Sequence, residues 1–375
     1  MAPAHRPETL AAQAMHTIDE PTGGVVPAIQ LATTYVRDAA YESRGRLYTR
    51  ADNPTPEAAE RVIAALEGGA EALTFASGMA AAAAAIRAHL RPGDHVISPR
   101  VAYYNLRAWL TKFCARWGVH HEVVDTSDLD AVRRALRPTT KLVWLETPSN
   151  PLWEVTDIAA ITELAHAAGA RVVVDSTCAT PVHSQPLALG ADLVMHAATK
   201  YLAGHSDVLA GALVTRQRDE MWAEITELRH DEGPMLAPFE AYLLLRGLRT
   251  LFARVERASK TALYLAEQLA ARGVHVRYPG LASHPQHALA RRQMTRGFGG
   301  MLSIHAGGDA AGALAIVRKL ALWLPATSLG GVESLVEHRS TAEGPDSPCP
   351  PDLLRLSVGL EHEDDLLADL LGALA

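Results

Sequence analysis

Two side chains with complementary chemistry each follow an apolar stretch of the sequence. Asp175 ends the β-branched run that begins at Arg171, and Lys200 lies shortly after the run from Asp192 to His196. A run that is apolar on both faces is typical of a buried parallel strand. Because open parallel sheets bind ligands at their carboxyl edge, we expect the carboxylate and the amine to meet at that edge.

This pair of side chains suits pyridoxal phosphate. A lysine forms a Schiff base with the cofactor, and a carboxylate keeps the pyridine nitrogen protonated so that the ring can accept electrons. The alternative is that Asp175 caps a turn and that Lys200 is a solvated surface residue. The segment after the lysine, Tyr201-Leu-Ala-Gly-His, is mostly apolar, which favours the catalytic interpretation.

A second feature predicts a site for a phosphate. A strand pattern ends just before Ser77, and Gly78 and Met79 open an alanine-rich helical pattern. Free backbone N–H groups and the helix dipole make such a helix start an anion site. Ser-Gly before a helix is common, but together with Lys200 downstream we expect Ser77, Gly78 and Met79 to bind the cofactor phosphate.

The helical and strand patterns that must hold these side chains in place divide the chain into three regions. Residues 54–215 alternate between strand-like and helix-like periodicity, which predicts an α/β fold with a mainly parallel sheet covered by helices on both faces. We expect a cofactor-binding domain at 54–235. A long helical pattern over 238–272 leads into a smaller α+β domain at 236–375. Residues 1–53 contain many Pro, Thr and Gly and predict an irregular arm.

Length and composition narrow the classes of function. The 375 residues exceed the usual size of one domain, and 48% hydrophobic with 21% charged residues is a normal globular balance. A net charge of −7 without a basic block argues against nucleic acid or an anionic membrane as the main partner.

The cysteines and the apolar runs indicate in which cellular compartment the protein is expected. Cys114, Cys178 and Cys349 show no CxxC spacing, so we expect neither a metal site nor a disulfide framework, as suits a reducing cytoplasm. No uncharged apolar run reaches 18 residues, and the N-terminus lacks an apolar signal-peptide core. The sequence thus predicts a cytoplasmic protein without a membrane span.

Several longer segments resemble the cystathionine γ-synthase and γ-lyase family, the transsulfuration enzymes that use pyridoxal phosphate. The resemblance runs from about Gly23 to the C-terminus. Its segments are YTRADNPT from Tyr48, ETPSNP from Glu146, DSTCATP from Asp175, HAATKYLAGHSDVLAG from His196, SLGG from Ser328 and RLSVGLE from Arg355. The resemblance implies an aspartate-aminotransferase-like fold (fold type I) with a mainly parallel seven-stranded sheet. It also implies a homotetramer, a dimer of dimers in which the arm contacts a neighbouring subunit.

The resemblance also implies roles for individual residues around the cofactor. The cofactor-binding positions are Tyr48, Arg50, Ser77, Gly78, Met79, Tyr103, Asn150, Asp175, Thr199 and Lys200. Tyr103 stacks on the ring and assists as acid or base, with Tyr104 as the alternative if the register slips by one. Tyr48 and Arg50 reach the phosphate of the adjacent subunit, and a planar guanidinium suits that task.

The substrate side and the reaction follow from the same resemblance. Arg355 clamps the α-carboxylate, and Thr327 and Ser328 face the substrate. Lys200, Tyr103 and Asp175 are the expected catalytic residues, with the freed lysine as general base. The preferred reaction is that of cystathionine γ-lyase. The γ-synthase reaction on O-acyl-homoserine, the β-lyase reaction and, outside this chemistry, transamination remain alternatives, as does a cofactor-free interaction protein.

A few positions depart from the common family pattern. They are Ala197 in place of a phosphate-binding serine, Tyr104 and Asn105 in place of Gly-Gly, Ala108 in place of a substrate-binding arginine, and Thr327 in place of Glu or Tyr. Asn105 also stands where methionine γ-lyases carry cysteine. These departures leave the expected fold and cofactor unchanged, but they bear on the substrate and on the bond that is cleaved.

Overall fold

The computed structural model describes residues 5–344 and 347–375. Its larger sheet has seven strands, β1 Glu71–Phe75, β2 His95–Pro99, β3 His120–Val124, β4 Thr140–Glu146, β5 Arg171–Asp175, β6 Leu193–His196 and β7 Gly211–Thr215. They lie in the order β1-β7-β6-β5-β4-β2-β3. Only β7 runs antiparallel to its neighbours in this sheet. The expected mainly parallel seven-stranded sheet is confirmed, and β5 lies at its centre.

Helices cover both faces of this sheet. The helices of this part of the chain are α1 Pro7–Ala12, α2 Pro54–Glu67, α3 Gly78–His89, α4 Tyr104–Trp117, α5 Leu129–Ala135, α6 Ile158–Ala167, α7 Thr180–His183 and α8 Glu220–Glu232. Val173 packs in a core with residues of α3 and α8, whereas Val172 and Val174 pack with residues of α5 and α6. Because successive strand residues point to opposite faces, β5 is buried on both sides, which explains its apolar run.

A second, five-stranded sheet forms the C-terminal part. Its strands are β8 His275–Arg277, β9 Met301–His305, β10 Leu324–Pro325, β11 Leu335–His338 and β12 Leu353–Ser357, in the order β10-β11-β12-β9-β8. Its helices are α9 Pro238–Leu248, α10 Leu251–Ala270, α11 His287–Gln293, α12 Ala310–Val317, α13 Arg339–Glu343 and α14 Glu363–Leu374. This smaller α+β part is as expected, while the boundaries at 53/54 and 235/236 stay predictions.

The long helical pattern over 238–272 is divided into α9 and α10 at Arg249 and Thr250. Buried Arg254 donates hydrogen bonds to the carbonyl oxygens of Gly247 (2.7 Å) and Tyr201 (2.8 Å). The guanidinium thereby binds a carbonyl group near the end of α9, where intrahelical partners run out. The same side chain ties the junction between the two helices to the segment that follows Lys200.

The N-terminal region behaves as an arm only in part. Ala11 and Ala14 are buried in a core that includes residues of α2 and α9. Farther along, large apolar side chains are exposed, namely Val25, Leu31, Val36 and Tyr41. The contact of residues 1–53 with a neighbouring subunit stays a prediction.

Two absences in the described residues concern membrane spans and metal sites. None of the helices in residues 5–344 and 347–375 combines the length and apolar character needed to cross a membrane. In the same ranges, no group of three or more His, Cys, Asp or Glu side chains is arranged to hold a metal ion.

Candidate active site

The central strand delivers Asp175 to the carboxyl edge of the larger sheet. The buried carboxylate accepts hydrogen bonds from the backbone N–H (3.0 Å) and the hydroxyl of Thr177. The Thr177 oxygen in turn accepts the Ala197 N–H (2.8 Å), which ties the ends of β5 and β6 together. Burial raises the pKa of Asp175, although the hydrogen bonds from Thr177 oppose this.

A second carboxylate, Glu146, lies beside Asp175 and was not singled out from the sequence. The two residues are register partners on β4 and β5. Glu146 accepts the backbone N–H groups of Asn150 and Tyr103, each at 2.8 Å. It therefore positions the two segments that carry these side chains. Burial, together with the charge of Asp175, raises the pKa of Glu146 to about 8. The sequence signals were a charged residue at the end of an apolar strand and its place as the first residue of the ETPSNP segment.

Lys200 follows β6 and points toward the same edge. Its amine donates a hydrogen bond to the Ser328 hydroxyl at 2.8 Å. Burial and the nearby Arg355 guanidinium lower the pKa of Lys200. A lowered pKa enlarges the neutral fraction of an amine, and only the neutral amine is a nucleophile or a base.

The helix α3 begins at Gly78, where the sequence predicts an anion site. The Ser77 hydroxyl caps the helix by accepting the Ala80 N–H at 3.1 Å, and Gly78 and Met79 occupy the first turn. A Cβ on Gly78 would lie 2.9 Å from the Ala197 Cβ, so the close approach of the two segments requires glycine. Ala197 offers no hydroxyl here, which leaves the backbone N–H groups as the principal donors.

One cavity of about 150 Å³ collects most of the predicted cofactor residues. Those lining it are Ser77, Gly78, Met79, Tyr103, Asn150, Asp175, Thr199 and Lys200. The Thr199 hydroxyl donates to the Ala210 carbonyl (3.0 Å) and accepts the Ala210 N–H (2.9 Å), so its proton is already engaged. The Tyr103 phenol accepts a hydrogen bond from the Asn105 amide at 2.9 Å, which gives one of the departures a role in holding the tyrosine.

Tyr48 and Arg50 are absent from the lining of this cavity. Both side chains are exposed, and the Arg50 guanidinium lies 5.5 Å from the centre of the Tyr48 ring. Within one chain, therefore, the structure does not bring these two residues to the phosphate end. Their role toward a neighbouring subunit stays a prediction.

The predicted substrate residues lie next to the cavity. Arg355 is 3% exposed and donates to the Ser328 carbonyl oxygen (2.6 Å) and to Glu337 (2.7 Å). Burial lowers the pKa of Arg355 to about 10, so the guanidinium stays charged at neutral pH. Thr327 is exposed and, with Ser328, lines an open cleft adjoining the cavity at Thr199 and Leu209.

These residues fit pyridoxal phosphate. Asp175, a buried carboxylate at this edge, suits a cationic ring nitrogen because a nearby positive charge offsets the cost of ionising a buried carboxyl group. Lys200 is the amine on the same cavity, and the start of α3 supplies phosphate donors at another part of its lining. The sequence missed Arg254, which holds the backbone of Tyr201, because an arginine in an apolar helix gives no sign of its distant partner.

Comparison with known proteins agrees with this geometry. The family model described as Cys/Met metabolism PLP-dependent enzyme matches residues 8–375. The chain is 46% identical to a cystathionine gamma-synthase of Mycobacterium tuberculosis, over 98% of this chain and 96% of that protein. It is 40% identical to a cystathionine gamma-lyase of Dictyostelium discoideum, over 95% and 94%.

A solved structure shows the same architecture. It is a cystathionine gamma synthase from Xanthomonas oryzae pv. oryzae in complex with cystathionine, 39% identical, with a TM-score of 0.94 over 99% of this chain and 98% of that one. The expected fold and cofactor class are thereby confirmed. The chain belongs to the Cys/Met metabolism family of PLP-dependent enzymes.

Proposed function

We propose that this chain joins cysteine to an O-acyl-homoserine, which is the cystathionine γ-synthase reaction. The observation that carries the choice of reaction is the 46% identity to a cystathionine gamma-synthase, and the geometry that supports the chemistry is the position of Ser328 between Lys200 and Arg355. Its hydroxyl accepts a hydrogen bond from Lys200, and its carbonyl oxygen accepts one from Arg355. An amino acid whose carboxylate is held by Arg355 then has Cα and Cβ within reach of the Lys200 amine.

The chain's own residues account for the proton movements. Bound pyridoxal phosphate supplies the electron sink that acidifies the hydrogens on Cα and then on Cβ. Arg355 fixes the α-carboxylate and therefore the orientation of these bonds. Lys200, whose pKa is lowered by burial and by the Arg355 guanidinium, takes the proton from Cα and moves protons at Cβ. Asp175 would supply the negative charge that favours a protonated ring nitrogen when the cofactor is bound, and Glu146 holds the segments of Tyr103 and Asn150.

Bond changes at Cγ separate the alternatives. In the replacement, the Cγ–O bond breaks, the acyl group leaves as a carboxylate, and the cysteine sulfur forms the Cγ–S bond after losing its proton. In the γ-lyase reaction, the Cγ–S bond of cystathionine breaks, cysteine leaves, and water releases 2-oxobutyrate and ammonia. The 46% identical relative, which is named as a cystathionine gamma-synthase, supports the replacement reaction as the first candidate. The γ-lyase, preferred from the sequence, is the second candidate and is supported by the 40% identical relative.

Thr327 bears on both reactions through its position at the rim of the cleft. Its hydroxyl lies near Glu337, whose pKa is lowered by Arg355 and Arg339 even though burial opposes this. A neutral hydroxyl in place of a carboxylate weakens the hold on a distal ammonium group by roughly 1–3 kcal/mol. We therefore propose that Thr327 tunes the distal end of the substrate, while Ser328 and Arg355 bind the common amino-acid end.

Product analysis tests the proposed reaction. Purified enzyme with cofactor is given O-acetyl- or O-succinyl-homoserine with and without cysteine, and separately cystathionine alone, with products measured by mass spectrometry. We expect cystathionine formation to exceed 2-oxobutyrate release from cystathionine by at least about tenfold in kcat/KM. The Lys200→Ala protein is the control for non-enzymatic turnover. Faster 2-oxobutyrate release from cystathionine would make the chain a γ-lyase, pyruvate release a β-lyase, and keto-acid-dependent amino transfer a transaminase.

We further propose a homotetramer made of two dimers with shared active sites. The exposed apolar side chains after α1 and the distance of Arg50 from its own cavity lining support this assignment. Arg50→Ala and Lys200→Ala should each inactivate the enzyme, yet mixed subunits should recover activity. If subunits exchange at random in a two-fold dimer, one site in four combines both intact residues, so roughly a quarter of wild-type activity is expected.

The double variant Arg50→Ala/Lys200→Ala is the matched control, because mixing it with the Arg50→Ala protein rebuilds no intact site. Sedimentation measures the assembly, and mass spectrometry of tagged subunits verifies the exchange. Verified exchange without recovered activity would assign Arg50 to its own chain or to no site at all.

A further inference from the structure

A second arginine is buried close to Arg355. Arg339, at the start of α13, is 2% exposed. Its guanidinium donates to Glu337 at 2.6 Å and to Glu343 at 2.7 Å, and it lies 5.4 Å from the centre of the Tyr104 ring. A buried arginine is costly unless it is paired, and here two carboxylates and an aromatic face surround it.

The pairing of Glu337 connects the two arginines. The same carboxylate oxygen, Oε2, lies 2.6 Å from Arg339 and 2.7 Å from Arg355. Arg355 and Arg339 carry two positive charges, and Glu337 and Glu343 carry two negative charges, so the four groups balance. Without Arg339, the same cluster would have a net negative charge at the place where an α-carboxylate binds.

Both guanidiniums retain donor capacity. The Nε atoms of Arg339 and Arg355 are buried and have no hydrogen-bond partner among the described residues. Nη1 of Arg355 has only a 3.5 Å contact with the Asn150 side-chain oxygen. Arg355 is therefore only partly saturated by Glu337 and Ser328.

Tyr104 connects this cluster to the cofactor cavity. Its ring meets that of Tyr103 edge to face, with centroids 5.3 Å apart, and Tyr103 lines the cavity. Tyr104 is one of the departures from the common family pattern, and Arg339 is its cationic partner. A continuous set of contacts thus runs from Tyr103 through Tyr104, Arg339 and Glu337 to Arg355.

We propose that Arg339 is a positioning residue that sets the affinity for the α-carboxylate of the substrate. It shares the charge of Glu337, so that Arg355 keeps its attraction for a further carboxylate. This inference deepens the proposed function and rests on the binding role of Arg355. It does not depend on which bond at Cγ is made or broken.

The proposal is tested by measuring the binding of two probes whose side chains cannot react. L-Norvaline carries an α-carboxylate, and n-butylamine is the same molecule without it. Each probe is titrated into the cofactor-loaded enzyme, and binding is followed by the change in the absorbance of the enzyme. For Arg339→Gln we expect the dissociation constant of norvaline to rise about ten- to a hundredfold, with that of butylamine changing less than about threefold. In turnover, KM for amino-acid substrates should rise while kcat stays within about threefold.

Two further variants keep the test decisive. Arg339→Lys retains the charge and should recover most of the norvaline affinity. This variant also provides the test if the glutamine variant fails to fold. Glu343→Gln leaves the Glu337 contact intact and removes one negative charge from the cluster, so norvaline should bind at least as tightly as to the wild-type protein. Equal effects on both probes, or no effect on norvaline, would show that Arg339 serves only the packing of α13. Because neither probe has a leaving group, a wrong choice between γ-synthase and γ-lyase does not alter this result.

Discussion

Lys200→Ala is expected to lose the visible absorbance of the lysine-bound cofactor and at least about 10³-fold in kcat. The structure gives the physical reason, since one amine lines the cavity, has a lowered pKa and lies 2.8 Å from Ser328 beside the arginine of the substrate end. Its removal takes away both the covalent attachment and the mobile base. Absorbance spectra and steady-state rates on the purified protein measure the two losses separately.

Lys260→Ala is the matched control, because Lys260 is an exposed lysine on α10. That variant should keep the absorbance, the cofactor content and the rate. Activity of the Lys200→Ala protein at the level of the control would contradict the assignment of the amine, and with it the whole proposed chemistry.

The central part of the site was predictable from the sequence because its signals are local. The apolar run ending at Asp175 required a strand buried on both faces, and Lys200 follows the neighbouring strand in the sheet. Two adjacent parallel strands that end at one edge bring their following residues together whatever the loops do. The glycine at position 78 was likewise readable, because a helix start that faces an anion needs open backbone groups.

Residues that act through distant partners were not predictable. Glu146 binds the N–H of Tyr103, and Arg254 binds the carbonyl of Tyr201. Arg339 balances Glu337 only because β11 and α13 fold back toward Tyr104. Nothing in the local pattern of an arginine or glutamate specifies which backbone group or ring it will meet. The role proposed for Arg50 would require a second chain, and the periodicity of one sequence carries no information on such a contact.

Asp175→Asn is expected to keep the fold and the visible absorbance but to lower kcat about 10²- to 10³-fold. Asparagine has nearly the same shape, and its side-chain oxygen can still accept the two hydrogen bonds from Thr177 that aspartate accepts. What it lacks is the charge that stabilises a protonated ring nitrogen. The cofactor should bind more weakly, whereas thermal stability should change little, because the buried carboxylate is costly to ionise in the first place.

Glu146 provides the competing explanation and therefore the control. It lies beside Asp175 in register, and a carboxylate there could supply the same charge if its proton were lost. Its two oxygens already bind the N–H groups of Asn150 and Tyr103, and its raised pKa favours the protonated form. Glu146→Gln replaces one acceptor by an amide donor facing an N–H group, so it should displace Tyr103 or Asn150 and alter the cofactor spectrum. If Asp175→Asn turned over at the wild-type rate while Glu146→Gln lost the 10²- to 10³-fold, the charge at the ring nitrogen would belong to Glu146.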